Sequence, residues 1–542
     1  MSKIFDQLCK MREVDEDFLH PKYSAKPADI PGLNEAVKRI SEAVKNHEKV
    51  LIYGDYDVDG VTATTVMKDA LTLAGVSEVL TMLPDRFKDG YGMSERVIQR
   101  AEKEGVKLVV TVDCGTGNQE IIARLKEIGI DTVVTDHHEV MCELPKDAVA
   151  VVNPKRQDSK GKQARELAGV GVAFMVAKKL VEVGLIPDGQ EKWMLDLVLI
   201  GTICDAMYMN KLNRELCFYG MKVIQKTRRP GLAELMRVAR VSKIDTNAIG
   251  FMIGPRLNAG GRMESAEISL SLLNTTSKAE AARLALKLDE LNSARKTEQE
   301  RAVKEIESEK RLDEVVVYDD GPVMIAKGDW HEGVIGIIAG RLVEQYKKPA
   351  FVFNNDLKGS GRSFGEFNLA DALKACEDVM IGGGGHAAAC GVKLMEGKLE
   401  EFAEKVNDYY RSLKLTSQER FLRQKADLEI ADLSEIKVEL IDEIAQLEPF
   451  GPGNEEPIFR IKSRVMRTTT MGADGKHVKI EVADGDKILP LVKFYAEPEY
   501  MRVQAGENIA LLVTFMKNEW CGRISVEGSI KDFDEVGEEW ND

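Results

Sequence analysis

Four short clusters in the first 207 residues carry side chains suited to holding divalent cations: GDYDVDG at 54–60, TVDCG at 111–115, TDHH at 135–138 and GTICDAM at 201–207. They contain six aspartates (Asp55, Asp57, Asp59, Asp113, Asp136 and Asp205) and two histidines, His137 and His138. Hard carboxylate oxygens suit Mg²⁺ or Mn²⁺, and one or two imidazoles shift the preference toward Mn²⁺. That many carboxylates brought together repel one another strongly unless cations neutralise them. The residue types therefore point to a multi-metal hydrolytic site, provided the fold gathers the clusters.

The runs before the clusters supply that fold. Residues 50–53 and 108–112 are continuously apolar, as expected for strands of a parallel sheet buried on both faces. Ligands of open α/β sheets bind beyond the carboxyl ends of the strands. The run 131–135 before Asp136 and the run 195–204 before Asp205 are read the same way, which puts four acidic endings on one sheet edge. In GDYDVDG the aspartates alternate at spacing two, so an extended segment would turn all three to one side, and Gly54 and Gly60 permit a tight turn. A calcium loop is the competing reading of that motif taken alone. An EF-hand, however, needs a Glu at its twelfth position, where Val66 stands. A lone Asp113 or Asp205 would ordinarily be a helix cap. The four clusters together make that explanation a poor one.

At 542 residues, with 44% hydrophobic and 30% charged residues, the chain is an ordinary globular protein of three or more domains. Residues 1–46 read as a helical arm. Alternating strands and helices over 47–276 predict a parallel-sheet α/β catalytic domain. Residues 277–312 repeat Leu284, Leu288, Leu291, Ala294, Ala302 and Ile306 at helical spacing, a connector helix between two lobes. A smaller α/β domain over 313–415 has glycine-rich turns at 359–361 and 382–385. A charged helical linker follows over 416–448 and ends at PFGPGN, 449–454. From there to residue 542 the period-two pattern and the Asp484-Gly485 hairpin signal predict a five-stranded barrel of the OB type.

No apolar run approaches the ~20 residues of a bilayer span. The first residues lack the apolar core of a signal peptide, so the expected location is the cytoplasm. The eight cysteines show no CxxC spacing and are expected to be free thiols. A net charge of −15 opposes coating nucleic acid with the whole surface, but allows local basic patches. Candidates are Lys155 to Arg165, Lys226 with Arg228 and Arg229, and Arg460, Lys462, Arg464 and Arg467.

The four clusters resemble the motifs of the DHH phosphoesterase superfamily. The segments GPRLNA (254–259) with GRM (261–263), WHEGVIG (330–336), KGSGRS (358–363), GGHAAA (384–389) and PFGPGNEEPIF (449–459) are similar to the RecJ family of single-strand-specific exonucleases. The resemblance covers nearly the whole chain. It implies that Asp57, Asp59, Asp113, His137 and Asp205 are ligands of two Mn²⁺ or Mg²⁺ ions, with Asp113 bridging. It implies further that Asp55 and Asp136 orient those ligands and that His138 contacts the scissile phosphate. The second lobe resembles a DHHA1 domain, in which Arg362, Ser363, Gly384, Gly385 and His386 would hold a terminal phosphate, with Arg256 as a further contact. Trp330 and His331 are read either as base-positioning groups or as core. Cys390, and the residues around Asp205, depart from the usual family pattern.

The implied activity is 5′-to-3′ hydrolysis of single-stranded DNA to 5′-mononucleotides, in recombination and repair. Single-strand-binding protein and a helicase are candidate partners. Two other functions remain open at this point: a phosphodiesterase of short oligonucleotides or cyclic dinucleotides, and a non-catalytic replication scaffold. The C-terminal barrel favours a polymeric substrate over the first, and the intact ligand set opposes the second.

Overall fold

A computed structural model describes residues 2–90, 92–308, 315–416, 425–472, 475–485, 487–520 and 522–533. Its first sheet has the order β2-β1-β3-β4-β5, all parallel, from β1 (Lys49–Tyr53), β2 (Glu78–Met82), β3 (Leu108–Val112), β4 (Asp131–Thr135) and β5 (Ala150–Val152). Successive residues alternate between two cores. Leu51, Tyr53 and Val109 pack under the helices Glu95–Glu104 and Gln119–Glu127. Val50, Ile52 and Val110 pack under Leu33–Lys45, Val58–Leu73 and Gly169–Glu182. Burial on both faces explains the unbroken apolar runs.

The predicted alternation stops at β5. From there to Glu307 the described chain is helical, and the run before Asp205 is the helix Leu195–Cys204 rather than a strand. Its sequence LDLVLIGTIC is buried on nearly every side, and such a segment has no period to separate helix from strand. Asp205 therefore stands at a helix C-terminus, although it still faces the sheet edge.

The connector is one helix, Lys278–Glu307, anchored in two cores. Leu284, Ala285 and Leu288 belong to the catalytic core, and Ala302 and Ile306 to that of the second lobe. Between them Asn292 and Arg295 are buried, with Arg295 Nε donating to Asn292 Oδ1 at 3.2 Å, while Ala294 is exposed. The apolar stripe gives way here to a polar segment at the lobe junction.

The second lobe is a mixed sheet of order β10-β11-β9-β8-β7-β6: β6 (Val316–Tyr318), β7 (Met324–Lys327), β8 (Ala350–Phe353), β9 (Lys358–Arg362), β10 (Met380–Gly385) and β11 (Ala389–Leu394). Both glycine-rich stretches expected as turns are strands, 359–361 inside β9 and 382–385 forming the edge strand β10. Glycines in β9 let it close on its neighbours. A Cβ at Gly359 would lie 2.3 Å from the Phe353 ring.

The C-terminal sheet has β12 (Leu428–Ile430), β13 (Phe459–Met471), β14 (His477–Asp484), β15 (Lys487–Lys493), β16 (Asn508–Trp520) and β17 (Arg523–Phe533). Pairing of β13 with both β14 and β16 closes it into a barrel. The stretch expected as a charged helix before residue 449 holds instead, among its described residues, β12, short 3₁₀ turns and the helix Val438–Ile444. Leu433, Leu440 and Leu447 pack on the barrel core there. The N-terminal arm divides its contacts: Ile4, Phe5 and Leu8 enter the barrel core, whereas Leu33 and Val37 enter the catalytic core. Phe5 is fully buried. Phe5→Ala should destabilise the barrel by about 3–5 kcal/mol. Hydrogen exchange should show faster exchange in β13–β17 and unchanged protection of β1–β5.

Candidate metal centre

Each acidic group is positioned by a different local device. After β1, Asp55 is buried and its Oδ1 accepts from the Tyr56 amide at 2.7 Å. Asp57 is the N-cap of Val58–Leu73, accepting from the Gly60 amide at 3.0 Å, and Asp59 lies in that helix's first turn. The alternating aspartates thus belong to a strand-to-helix turn, not to an extended segment. Asp59 is held by a second helix start, Oδ2 and Oδ1 accepting from the Gly169 and Val170 amides at 2.6 and 2.8 Å. Asp113 follows β3 at φ 60°, a left-handed conformation that aspartate tolerates better than most residues.

These devices bring the groups together. His137 Nε2 lies 3.1 Å from Asp113 Oδ1, 3.6 Å from Asp205 Oδ2 and 3.7 Å from Asp59 Oδ2. Asp55, Asp57 and Asp113 form a neighbouring group with oxygens within 4.8 Å of one another. Asp113 is thus common to both groups. Asp55, expected behind the ligands, stands beside Asp57 and Asp113, with an oxygen in reach of the same point. Asp136 sits behind them: Oδ1 accepts from the His137 and His138 amides at 2.7 and 3.1 Å and lies 2.8 Å from His138 Nδ1, while Oδ2 accepts from the Thr116 amide at 3.0 Å.

Burial and then mutual repulsion drive the carboxyl groups toward their protonated forms. Asp55 and Asp205 are pushed up to about 8 and Asp59 to about 7. Asp113 is raised as well, by burial and then by Asp59, Asp57, Asp55 and Asp205. Burial and the neighbouring His138 lower His137 to about 3. His138 goes the other way. Burial opposes its charge, but the hydrogen bond to Asp136 prevails and lifts it to about 9. Asp113 Oδ1 is buried without a hydrogen-bond donor among the described residues. A cluster of buried oxygens with one neutral imidazole, its charge offset only in part by His138, fits divalent cations.

The expected phosphate groups divide. Arg362 and Arg262 face the junction of the lobes. Arg262 is lowered to about 9 by burial and then by Arg86, Arg362 and Arg295, so four guanidinium groups lie close enough to repel. Arg362 Nη1 donates to Gly361 O at 2.8 Å. Ser363 Oγ donates to Phe367 O, and Gly384, Gly385 and His386 are exposed at the β10 edge. Arg256 is not part of this group. It pairs with Asp289 on the connector at 2.8 Å, a bond across the helix–helix contact, and donates to Met252 O four residues earlier. Trp330 is core, its Nε1 donating to Glu305 at 2.8 Å, and His331 caps the helix Glu332–Tyr346. Some basic patches are likewise engaged, with Arg229 paired to Asp69 and Asp196 and Arg460 to Glu429.

Known proteins share this arrangement. Family models match at residues 49–202 (DHH family, N-terminal domain), 320–412 (DHHA1 domain) and 426–532 (RecJ OB domain). The single-stranded-DNA-specific exonuclease RecJ of Salmonella typhimurium is 31% identical over 93% of this chain and 90% of its own. The chain belongs to the RecJ family. The Bacillus subtilis RecJ is 35% identical over 95% of this chain, which spans 65% of that protein's length. The crystal structure of RecJ in complex with Mn²⁺ from Thermus thermophilus superposes with a TM-score of 0.83 at 26% identity, covering 99% of this chain and 76% of that one. A second crystal structure, of exonuclease RecJ bound to manganese, has a TM-score of 0.63 at 28% identity over 74% of this chain and 100% of its own.

Two features of this RecJ-family site escape reasoning from sequence. Gly169 belongs to none of the four clusters, yet its amide holds Asp59, and a Cβ there would lie 2.5 Å from the Asp113 side chain. The glycine pair of LAGVGV at a helix start is its only signal. Arg86, with its guanidinium 4.9 Å from the Tyr56 ring centre, lies in a loop with no motif of its own and joins Arg262 only through the fold.

The charge crowding sets a pH dependence for the metal-free protein. Asp55, Asp59 and Asp205 bind protons more tightly folded than the ~3.9 of an unfolded aspartate. The stability they retain in acid is therefore lost as pH rises toward 8. His138, raised to about 9, acts in the same direction above pH ~6.5, while the opposite effect of His137 is complete by then. Without metal, the melting temperature of the catalytic domain should fall between about pH 6.5 and 8, and millimolar Mn²⁺ should reverse the trend. A flat or rising metal-free profile in calorimetry would contradict this account.

Proposed function

We propose that the chain is a Mn²⁺- or Mg²⁺-dependent exonuclease that hydrolyses single-stranded DNA from the 5′ end to 5′-mononucleotides. The observation that carries it is the meeting of Asp57, Asp59, Asp113, His137 and Asp205 from four segments around one carboxylate, Asp113. The relatives' names add the substrate class.

In this reading Asp59, His137 and Asp205 would hold one ion and Asp57 with Asp55 the other, with Asp113 in reach of both groups. The bound ions supply Lewis acidity to a phosphate oxygen and lower the pKa of an attacking water. The chain's own groups do the rest. Asp136 keeps His138 charged through Nδ1, and an imidazolium so held carries a second N–H, at Nε2, suited to a phosphate oxygen or to the departing 3′-oxygen. The Asp136 carboxylate also fixes the backbone of both histidines, while burial and the neighbouring His138 keep the imidazole at His137 neutral and able to ligate. Across the lobe junction Arg86, Arg262 and Arg362, with the exposed amides of Gly384 and Gly385, suit a terminal phosphate. Ser363 and His386 flank them.

In this reading the junction of two lobes joined by one helix admits one strand and not a duplex. The barrel extends the grip through Phe494 and Tyr495, both more than half exposed, with Arg341 of the second lobe 4.7 Å from the Tyr495 ring centre. This extra grip favours a polymer over a dinucleotide. We place the enzyme in the cytoplasm, in recombination and repair, working beside single-strand-binding protein and a helicase. Among the described residues no helix is long and apolar enough to cross a membrane.

With Mn²⁺, 5′-labelled single strands should release labelled mononucleotide at once, and 3′-labelled strands only at the end. Asp113→Ala, which removes the shared carboxylate, should cost several kcal/mol of barrier, about 10³-fold or more in rate. Arg362→Ala should raise KM for a 5′-phosphorylated strand more than for one with a 5′-hydroxyl. Equal effects on both would remove Arg362 from the phosphate site.

A further inference from the structure

A cavity of about 410 Å³ opens beside the metal centre, a volume in the range of small-ligand pockets. Cys204, Ala206 and Met207 line one wall, so Asp205 lies at its edge; Phe251 lines a second, and Phe450 and Pro452, on the loop leading to the barrel, a third. Met209 N donates to Pro452 O at 2.6 Å, tying that loop to the catalytic domain at this point.

Within 47–276, two aromatic side chains among the described residues are largely exposed, Tyr208 at 51% and Phe251 at 76%; Phe251 lines the cavity, and Tyr208 follows the lining residue Met207 at its rim. The Tyr208 ring lies against Gly453, where a Cβ would approach it to 2.3 Å, next to the wall residue Pro452. Phe251 is carried on a π-helical turn, Ala248–Ile253, a geometry that costs stability and is often found at functional positions. Asn258 also lines the cavity, and its amide has no hydrogen-bond partner among the described residues. An exposed ring on an apolar hollow, with a second ring at its rim and one amide at hand, suits the flat face and polar edge of a nucleobase.

We propose that this cavity is a base-stacking subsite, where Phe251 and Tyr208 receive a nucleobase of the single strand between the metal centre and the barrel. It rests on the nuclease reading and adds a specific contact to it. The position argues for a nucleobase rather than a protein segment: a strand held at Asp205 and gripped by the barrel must cross the ground between them, and the cavity is bounded by both.

The test uses the full chain with Mn²⁺ and a 5′-phosphorylated oligothymidylate in which one abasic residue is walked along successive positions. In the wild type, one position near the 5′ end should lower kcat/KM by about 5- to 150-fold, the range for losing one stacked base. In Phe251→Ala the intact strand should fall to that level, and the abasic residue should cause no further loss. Phe251→Trp should restore the sensitivity. Because the ring is exposed, thermal melting of Phe251→Ala should match the wild type, which separates a lost contact from a lost fold. A flat scan in the wild type, or an abasic penalty that persists in Phe251→Ala, overturns the subsite and points to a different occupant. A wild type that cuts no strand overturns the nuclease reading as well.

Discussion

Five aspartates that repel one another cannot share a pocket of this kind as free anions. Everything around Asp113 follows from that constraint. Part of the charge is met by backbone: Asp57 caps the helix Val58–Leu73, and Asp59 lies at the start of Gly169–Glu182, so two positive helix ends point into the cluster. Another part is met by His138, charged because Asp136 stands behind it. What remains still holds Asp55, Asp59, Asp113 and Asp205 well above the ordinary aspartate range. A protein that keeps such groups in place bears a cost in stability that bound cations remove. The arrangement makes sense as a holder of metal and not as a self-sufficient core.

The second constraint is rigidity across the junction. One helix belongs to two hydrophobic cores, and the Arg256–Asp289 pair pins it to the helix that ends at Met263. Arg262, one residue before that end, is thereby fixed against the second lobe, where its Nη1 donates to Gly333 O at 3.3 Å. The residue expected to touch phosphate is thus the one that braces the helix, and the residue six positions later joins the guanidinium cluster. Helical geometry explains the exchange: six residues is about 600° of rotation, which turns the second arginine well away from the face of the first.

Much of this is legible in the chain, and the failures share a cause. Strands β1, β3 and β4 are readable because burial on both faces leaves unbroken apolar runs bounded by polar turns, and the barrel because period-two alternation survives where one face meets water. The helix before Asp205 reads as a strand for the converse reason: a helix buried all round loses its period. Likewise the glycine runs of β9 and β10 carry turn-like composition, yet sheet pairing overrides it when neighbouring rings such as Phe353 need the space. The group that the fold gathers around Asp113 is legible because each aspartate ends or begins an element, so its position depends little on whether that element is strand or helix. The contributions of Gly169 and Arg86 are not, since backbone amides and loop arginines acquire meaning only from what the fold places opposite them.

The barrel's place in the molecule bears on substrate length. Its core is completed by Ile4, Phe5 and Leu8 from the other end of the chain, and its entry loop is bonded to Met209, four residues from Asp205. Arg214, on the helix that follows Met209, donates to Leu447 O at 2.7 Å while its guanidinium lies 3.7 Å from the Phe18 ring centre. Three separate attachments therefore hold the barrel against the catalytic domain. A module attached loosely would raise local strand concentration, but could not set the distance between grip and cut. One docked this way fixes that distance, so under the proposed nuclease function a strand long enough to reach the barrel would be presented to the metal centre in a single register, and a dinucleotide would gain nothing from it.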